Sequence, residues 1–212
     1  MDGKYFEFFD RSNSIEKYDF FLKNMGAETT LEKEVEKALQ RKQTARILDI
    51  GCGEAQALSE LKKKFGKQVH TIGIDLLDSG NPDEFIKGNA AEVNFPKDVD
   101  LAVSFRAMHL LHPLKKVFEA SCKSLAPHGK AFFSVRCQQI AGGQLLFHGN
   151  LDSVDMSFLK QIAKEGKFCK AKIRAVEVKE PKEVMIIDPI TGLKSRAILE
   201  ILQGMNFFIE KE

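Results

Sequence analysis

Two acids and two glycines in this chain occupy places where strand ends would bring them together: Asp49, Gly51, Gly53 and Asp75. The run Ile47-Leu48-Asp49-Ile50-Gly51-Cys52-Gly53-Glu54-Ala55 reads as a buried strand, a turn nearly free of side chains, and the approach to a helix. That is the context in which backbone can come close to a nucleotide-like ligand. A pyrophosphate fingerprint asks for a third glycine at position 56 and an apolar residue at 49, whereas the chain has Gln56 and Asp49. A carboxylate in that pocket repels an anion. A ligand with a cationic head reverses the sign, because a carboxylate attracts an ammonium directly or through water. Asp75 ends the next strand and suits paired hydrogen bonds from ribose hydroxyls, although a loop or helix-cap aspartate also fits its position.

These residues need a scaffold of strands whose ends converge, and the pattern supplies one. Short apolar strands are expected over 46–50, 69–74, 84–87, 101–105 and 130–135, with helices over 56–65 and 114–125 between them, the latter stopped by Pro127 and Gly129. Strands alternating with helices imply parallel crossovers and a sheet covered on both faces. Ligands of such sheets bind beyond the carboxyl ends of the strands. Ahead of this core, 15–22 reads as a short helix capped by Ser14. A second helix follows, with Thr29 and Glu32 at capping-box spacing and Leu31, Val35, Ala38 and Leu39 as its apolar stripe. Past the core, the pattern suggests a helix over 153–165, strands over 168–178 and 184–187, a helix over 193–202, and a last segment at 206–210.

The glycine run resembles the first motif of the class I S-adenosylmethionine-dependent methyltransferases, and the likeness continues in order to about Val135. Gly88-Asn89-Ala90-Ala91-Glu92-Val93-Asn94-Phe95 is similar to the family segment whose acid receives the adenine amino group, with Asn89 in place of that acid. The stretch from Asp100 through Ser104 and Phe105 to Leu111 resembles the fourth-strand motif, and Leu125-Ala126-Pro127-His128-Gly129-Lys130 the turn before the fifth strand. Ala55 replaces the third glycine of the first motif. Within the superfamily, His109-Leu110-Leu111 looks most like the small-molecule branch that includes trans-aconitate methyltransferase.

The resemblance implies a doubly wound α/β fold with a mostly parallel, seven-stranded or near-complete sheet. It implies one domain over 1–212: an N-terminal helical lid (1–43), a cofactor-binding core (44–136) and a C-terminal substrate-side part (137–212). It implies S-adenosyl-L-methionine as cofactor, held by Asp49, Gly51, Cys52, Gly53, Asp75, Leu76, Asn89, Ala90, Ser104 and Phe105. Tyr5, Arg11 and Tyr18 would come from the lid. The expected reaction is methyl transfer to a small-molecule acceptor of carboxylic-acid type. An RNA or protein methyltransferase of the same fold, or a non-catalytic cofactor-binding protein, stays open beside it.

At the rim, His109 is placed to act as a base, and the same position suits a packing or helix-start histidine. Arg106 and Arg136 follow the fourth and fifth strands, where they form either a carboxylate-gripping pair or exposed ion pairs. His109 and His112 stand at a spacing that could hold a metal, but a third ligand is not evident, and no metal is expected.

Bulk properties narrow the field. The 212 residues are 43% hydrophobic, enough for a sizeable core, and carry 32 basic against 30 acidic residues. That balance gives a nucleic-acid partner no support. Neither a membrane span nor a signal peptide is legible, so a cytoplasmic location is expected. Cys52, Cys122, Cys137 and Cys169 lack metal-ligand spacing and read as free thiols.

Overall fold

A computed structural model describes residues 14–24, 26–77, 80–105, 107–141, 144–148, 153–177, 182–187 and 194–212; of these, 24, 109, 136–141, 144–148, 153–154, 177, 182–187 and 194–204 are described by their backbone alone. Two helices come first, α1 (Ile15–Asn24) and α2 (Leu31–Leu39). The core then alternates β1 (Ala45–Ile50), α3 (Gln56–Phe65), β2 (Val69–Asp75), β3 (Glu84–Lys87), β4 (Val99–Ser104), α4 (Leu114–Ser124) and β5 (Leu125–Ala141). The remainder is β6 (Gln144–His148), α5 (Ser153–Glu165), β7 (Lys167–Phe168), β8 (Ala171–Glu177), β9 (Lys182–Ile187) and β10 (Lys194–Lys211).

Among the described residues ten strands join one sheet, in the order β3-β2-β1-β4-β5-β10-β8-β7, with β6 on β5 and β9 on β10. The first five strands pair in parallel, and everything beyond β5 is antiparallel. The doubly wound α/β architecture is therefore as the sequence implies; β9 answers to the strand expected over 184–187, and β6 was not expected.

Period-two alternation sorts each strand between two cores. Ala45, Ile47, Val69, Leu101, Val103 and Phe132 face α1, α2 and α3, where Leu22, Val35, Leu58 and Leu61 cover them. Leu48, Ile50, Ile72, Ile74, Ala102 and Phe133 face the other way, under α4 and α5. On that second face Phe118 is fully buried and meets Phe133, Phe158 and Phe207 edge-on, with ring centroids 5.3, 5.6 and 5.2 Å away. Edge-to-face contacts of this kind suit the aromatic quadrupole.

Four local expectations change. The cap of α2 is Thr30, extended at φ −123° and ψ 162°, which accepts from Lys33 N, while the Thr29 hydroxyl donates to Glu34. The strand expected over 168–178 is two strands, broken where Cys169 and Lys170 both turn left-handed. The fifth strand begins at Leu125, earlier than expected, and runs on to Ala141. The helix expected over 193–202 is the first half of β10. The apolar run Ala197-Ile198-Leu199-Glu200-Ile201-Leu202 satisfies either period, and pairing to β5 on one side and β9 on the other decides for strand.

No described helix is long and apolar enough to cross a membrane. Replacing Phe118 by alanine leaves a void beneath three rings, and urea denaturation should show a loss of about 3–5 kcal/mol.

Candidate active site

β1 carries Asp49 between Gly73 of β2 and Val103 of β4 in register, so the acid sits near the carboxyl end of the parallel sheet. Alternation turns its side chain to the α1 face, where it is 1% exposed. The Tyr18 hydroxyl of α1 donates to Asp49 Oδ2 at 2.6 Å. Asp49 Oδ1 has no hydrogen-bond partner among the described residues. Burial, partly countered by the Tyr18 bond and reinforced by the nearby charge of Asp75, pushes the Asp49 carboxyl up to about 7.

Past β1 the chain turns tightly. Gly51 N and Cys52 N both donate to Ile74 O, at 2.7 and 3.3 Å, tying this turn to the end of β2. Gly51 is left-handed at φ 74°, and a Cβ there would come 2.2 Å from the Ala107 Cβ. No other residue fits. Ala55 closes the turn left-handed at φ 52°, as the residue preceding α3. Here the family glycine is replaced at a position that favours glycine, at a cost of about 1–2 kcal/mol.

Asp75 lies one strand over and closes the other side. Its Oδ2 accepts from Gly53 N at 2.9 Å and its Oδ1 from Leu77 N at 3.0 Å. A carboxylate offers about four acceptor sites, so both oxygens keep capacity for ligand hydroxyls. Leu76 and Leu77 follow as exposed large apolar residues. Asn89 Oδ1 accepts from Ala91 N and its amide donates to Glu92, which shapes the next loop around buried Ala90.

The sequence-expected residues thus divide. Asp49, Gly51, Gly53, Asp75 and Leu76 share the ends of β1 and β2. The Cys52 side chain turns inward and packs so closely on Gly73 that a Cβ there would lie 2.8 Å from its sulfur. The Ser104 hydroxyl is engaged with Ile50 O at 2.7 Å, pinning β4 to β1. Phe105 is buried between Tyr18, edge-on at 4.9 Å, and Phe21, stacked at 5.6 Å. Tyr18 therefore lies in the first core, where it reaches Asp49. Tyr5, Arg11 and Arg106 lie outside the described residues, as do the side chains of His109 and Arg136. No group of metal-ligating side chains occurs among the described residues.

One pair was not singled out as such from sequence. His112, just ahead of α4, contacts Asp155 at the start of α5, Nδ1 to Oδ2 at 2.7 Å. No spacing rule connects residues so far apart. Elsewhere, a cavity of about 410 Å³ is lined by Lys130, Phe132, Arg174 and Phe208, among others, and by none of Asp49, Gly51, Gly53, Asp75 and Leu76.

A family model described as a methyltransferase domain matches residues 23–170. No curated protein matches the chain. Among solved structures, TehB of Haemophilus influenzae shares 13% identity, covers 92% of this chain and 67% of its own, and superposes with a TM-score of 0.50. An S-adenosylmethionine-dependent methyltransferase of Methanosarcina mazei shares 18%, over 80% of this chain and 93% of its own, at 0.46. The 1,6-didemethyltoxoflavin-N1-methyltransferase of Burkholderia thailandensis shares 12%, over 93% and 85%, at 0.45. At 13% identity the likeness to TehB is one of fold alone.

A carboxyl that titrates near 7 when folded and near 3.8 when free takes up its proton in the folded state first, as pH falls. Between those values stability declines as pH rises, and it levels off above the higher one. Asp49→Asn should therefore raise the melting temperature most at pH 8, less at pH 5, and hardly at all below the lower of the two values. A lower melting temperature at pH 8 in thermal denaturation would contradict the assignment.

Proposed function

The chain belongs to the methyltransferase domain family and is an S-adenosylmethionine-dependent methyltransferase; on that premise we propose that it methylates a small molecule bearing an acidic group. The observation that carries the cofactor assignment is the Asp49 carboxylate, buried with one oxygen unbonded. Burying a charge is costly unless it is paired, and an ammonium supplies both the opposite charge and the missing donor. Asp49 would take the ammonium of the methionine end, and Asp75 the ribose hydroxyls. Gly51 and Gly53 would allow close backbone approach beside Cys52, with Leu76, Asn89 and Ala90 around the adenine.

The cofactor supplies an electrophilic methyl group on a sulfonium. The chain's own task is to align an acceptor with it and to keep water out. Arg106, just past β4 in sequence, and Arg136, whose backbone lies within β5 rather than at the strand end expected from sequence, would grip a carboxylate of the acceptor through their planar forks. The likeness of the 109–111 stretch to the trans-aconitate branch supports the same acceptor class. Of residues 1–43, Tyr5 and Arg11 would belong to the cover while Tyr18 holds Asp49 from within the core, and 137–212 would form the acceptor side.

Two measurements test this. Calorimetry with S-adenosylhomocysteine should show binding that Asp75→Ala weakens by about 1–3 kcal/mol, the scale of lost buried hydrogen bonds. Radiolabelled methyl transfer over pools of small acids, RNA and protein should label the small acids. Label confined to RNA or protein would overturn the acceptor class, and unchanged affinity in Asp75→Ala would overturn the ribose assignment.

A further inference from the structure

His112 stands in the segment between β4 and α4, at the carboxyl end of the sheet where ligands of this architecture bind. The same segment contains Ala107, whose Cβ closes on the backbone of Gly51. The loop carrying His112 thus abuts the turn assigned to the cofactor. Its side chain is 46% exposed, while the Asp155 carboxylate behind it is only 2% exposed. Asp155 Oδ2 lies 2.7 Å from His112 Nδ1, and its Oδ1 accepts from Leu114 N at 2.9 Å. The second bond fixes the carboxylate on the first turn of α4, so the imidazole is oriented by a rigid partner. A buried acid holding Nδ1–H selects the tautomer whose basic lone pair is on Nε2.

Resting on the transferase reading, we propose that His112 is the general base of the reaction, with Asp155 as its positioning residue, and that the acceptor atom is a hydroxyl oxygen or amino nitrogen of the acidic small molecule. A carboxylate acceptor needs no base, so a built histidine–aspartate pair has work only where the nucleophile carries a proton. The acid group then serves as the handle and not as the nucleophile. In the step, the acceptor atom forms a bond to the methyl carbon. The methyl–sulfur bond breaks with its electron pair left on the neutral thioether sulfur, and the acceptor proton passes to His112 Nε2 and on to water. Among the described residues, Asp155 of α5 faces His112, and the exposed Lys115 and Lys116 follow it on the first turn of α4.

The test uses the full chain, wild type and two variants, with hydroxy- and aminobenzoates against benzoate and simple dicarboxylates as acceptors. His112→Gln should lower kcat/KM about 10²–10⁴-fold and flatten its fall at acidic pH, while S-adenosylhomocysteine affinity stays unchanged. Asp155→Asn can still accept from Leu114 N but cannot accept from the imidazole, so it separates loop anchoring from base orientation. Nitrogen-15 spectra should show His112 as the Nδ1–H tautomer in wild type and not in Asp155→Asn, a readout independent of turnover. Transfer to benzoate or dicarboxylates that His112→Gln leaves intact would overturn the inference and spare the transferase reading. So would a wild-type imidazole in the Nε2–H form, or cofactor binding without turnover of any hydroxyl or amino acceptor. Failure of S-adenosylhomocysteine to bind would instead strike the transferase reading itself.

Discussion

A carboxylate removed from water must find charge and donors elsewhere, and Asp49 finds only half of them within the chain. The Tyr18 hydroxyl takes one oxygen; the other is buried without a hydrogen-bond partner among the described residues, with the charge of Asp75 nearby. Much of the surrounding architecture follows from holding that acid in place. β1 has to be central, α1 has to lie close enough to deliver a phenol, and Phe105 and Phe21 have to wall that phenol from solvent. The incomplete satisfaction is what a receptor for a cationic head requires, since a fully bonded carboxylate would gain little from the ligand.

The turn beside it is governed by distance rather than charge. Gly51 and Ala107 meet so tightly that the loop after β4 is locked to the loop after β1. Ser104 adds a second tie through Ile50 O. The turn after β1 and the loop after β4 are therefore one rigid unit. If they hold the two reactants as proposed, such coupling would fix their alignment before either arrives.

The core was legible because its signals are local. Each strand from β1 to β5 announces itself by apolar residues, and the glycine turn by composition. Asp49 and Asp75 could be placed together because parallel neighbours bring their ends together. The tail was not legible for the opposite reason: β10 reads as helix or strand with equal ease, and only partners distant in sequence choose between them. The same holds at the site. Tyr18 was read as part of a cover, yet its hydroxyl reaches into the core, and the meeting of His112 with Asp155 depends on how α5 packs beside α4. Thr29 and Thr30 differ by one position, below what a spacing motif resolves.

The position of β10 bears on how the chain is made. It lies between β5 and β8, both of which leave the ribosome earlier. Until β10 emerges, each exposes a row of unpaired amides and carbonyls alongside apolar side chains, a template for wrong partners. The parallel half can consolidate during synthesis, whereas the antiparallel half must wait for a strand whose contacts span long stretches of sequence, which slows closure. Chaperone dependence and inclusion-body formation should accordingly originate in the β5–β8 gap rather than around the glycine turn.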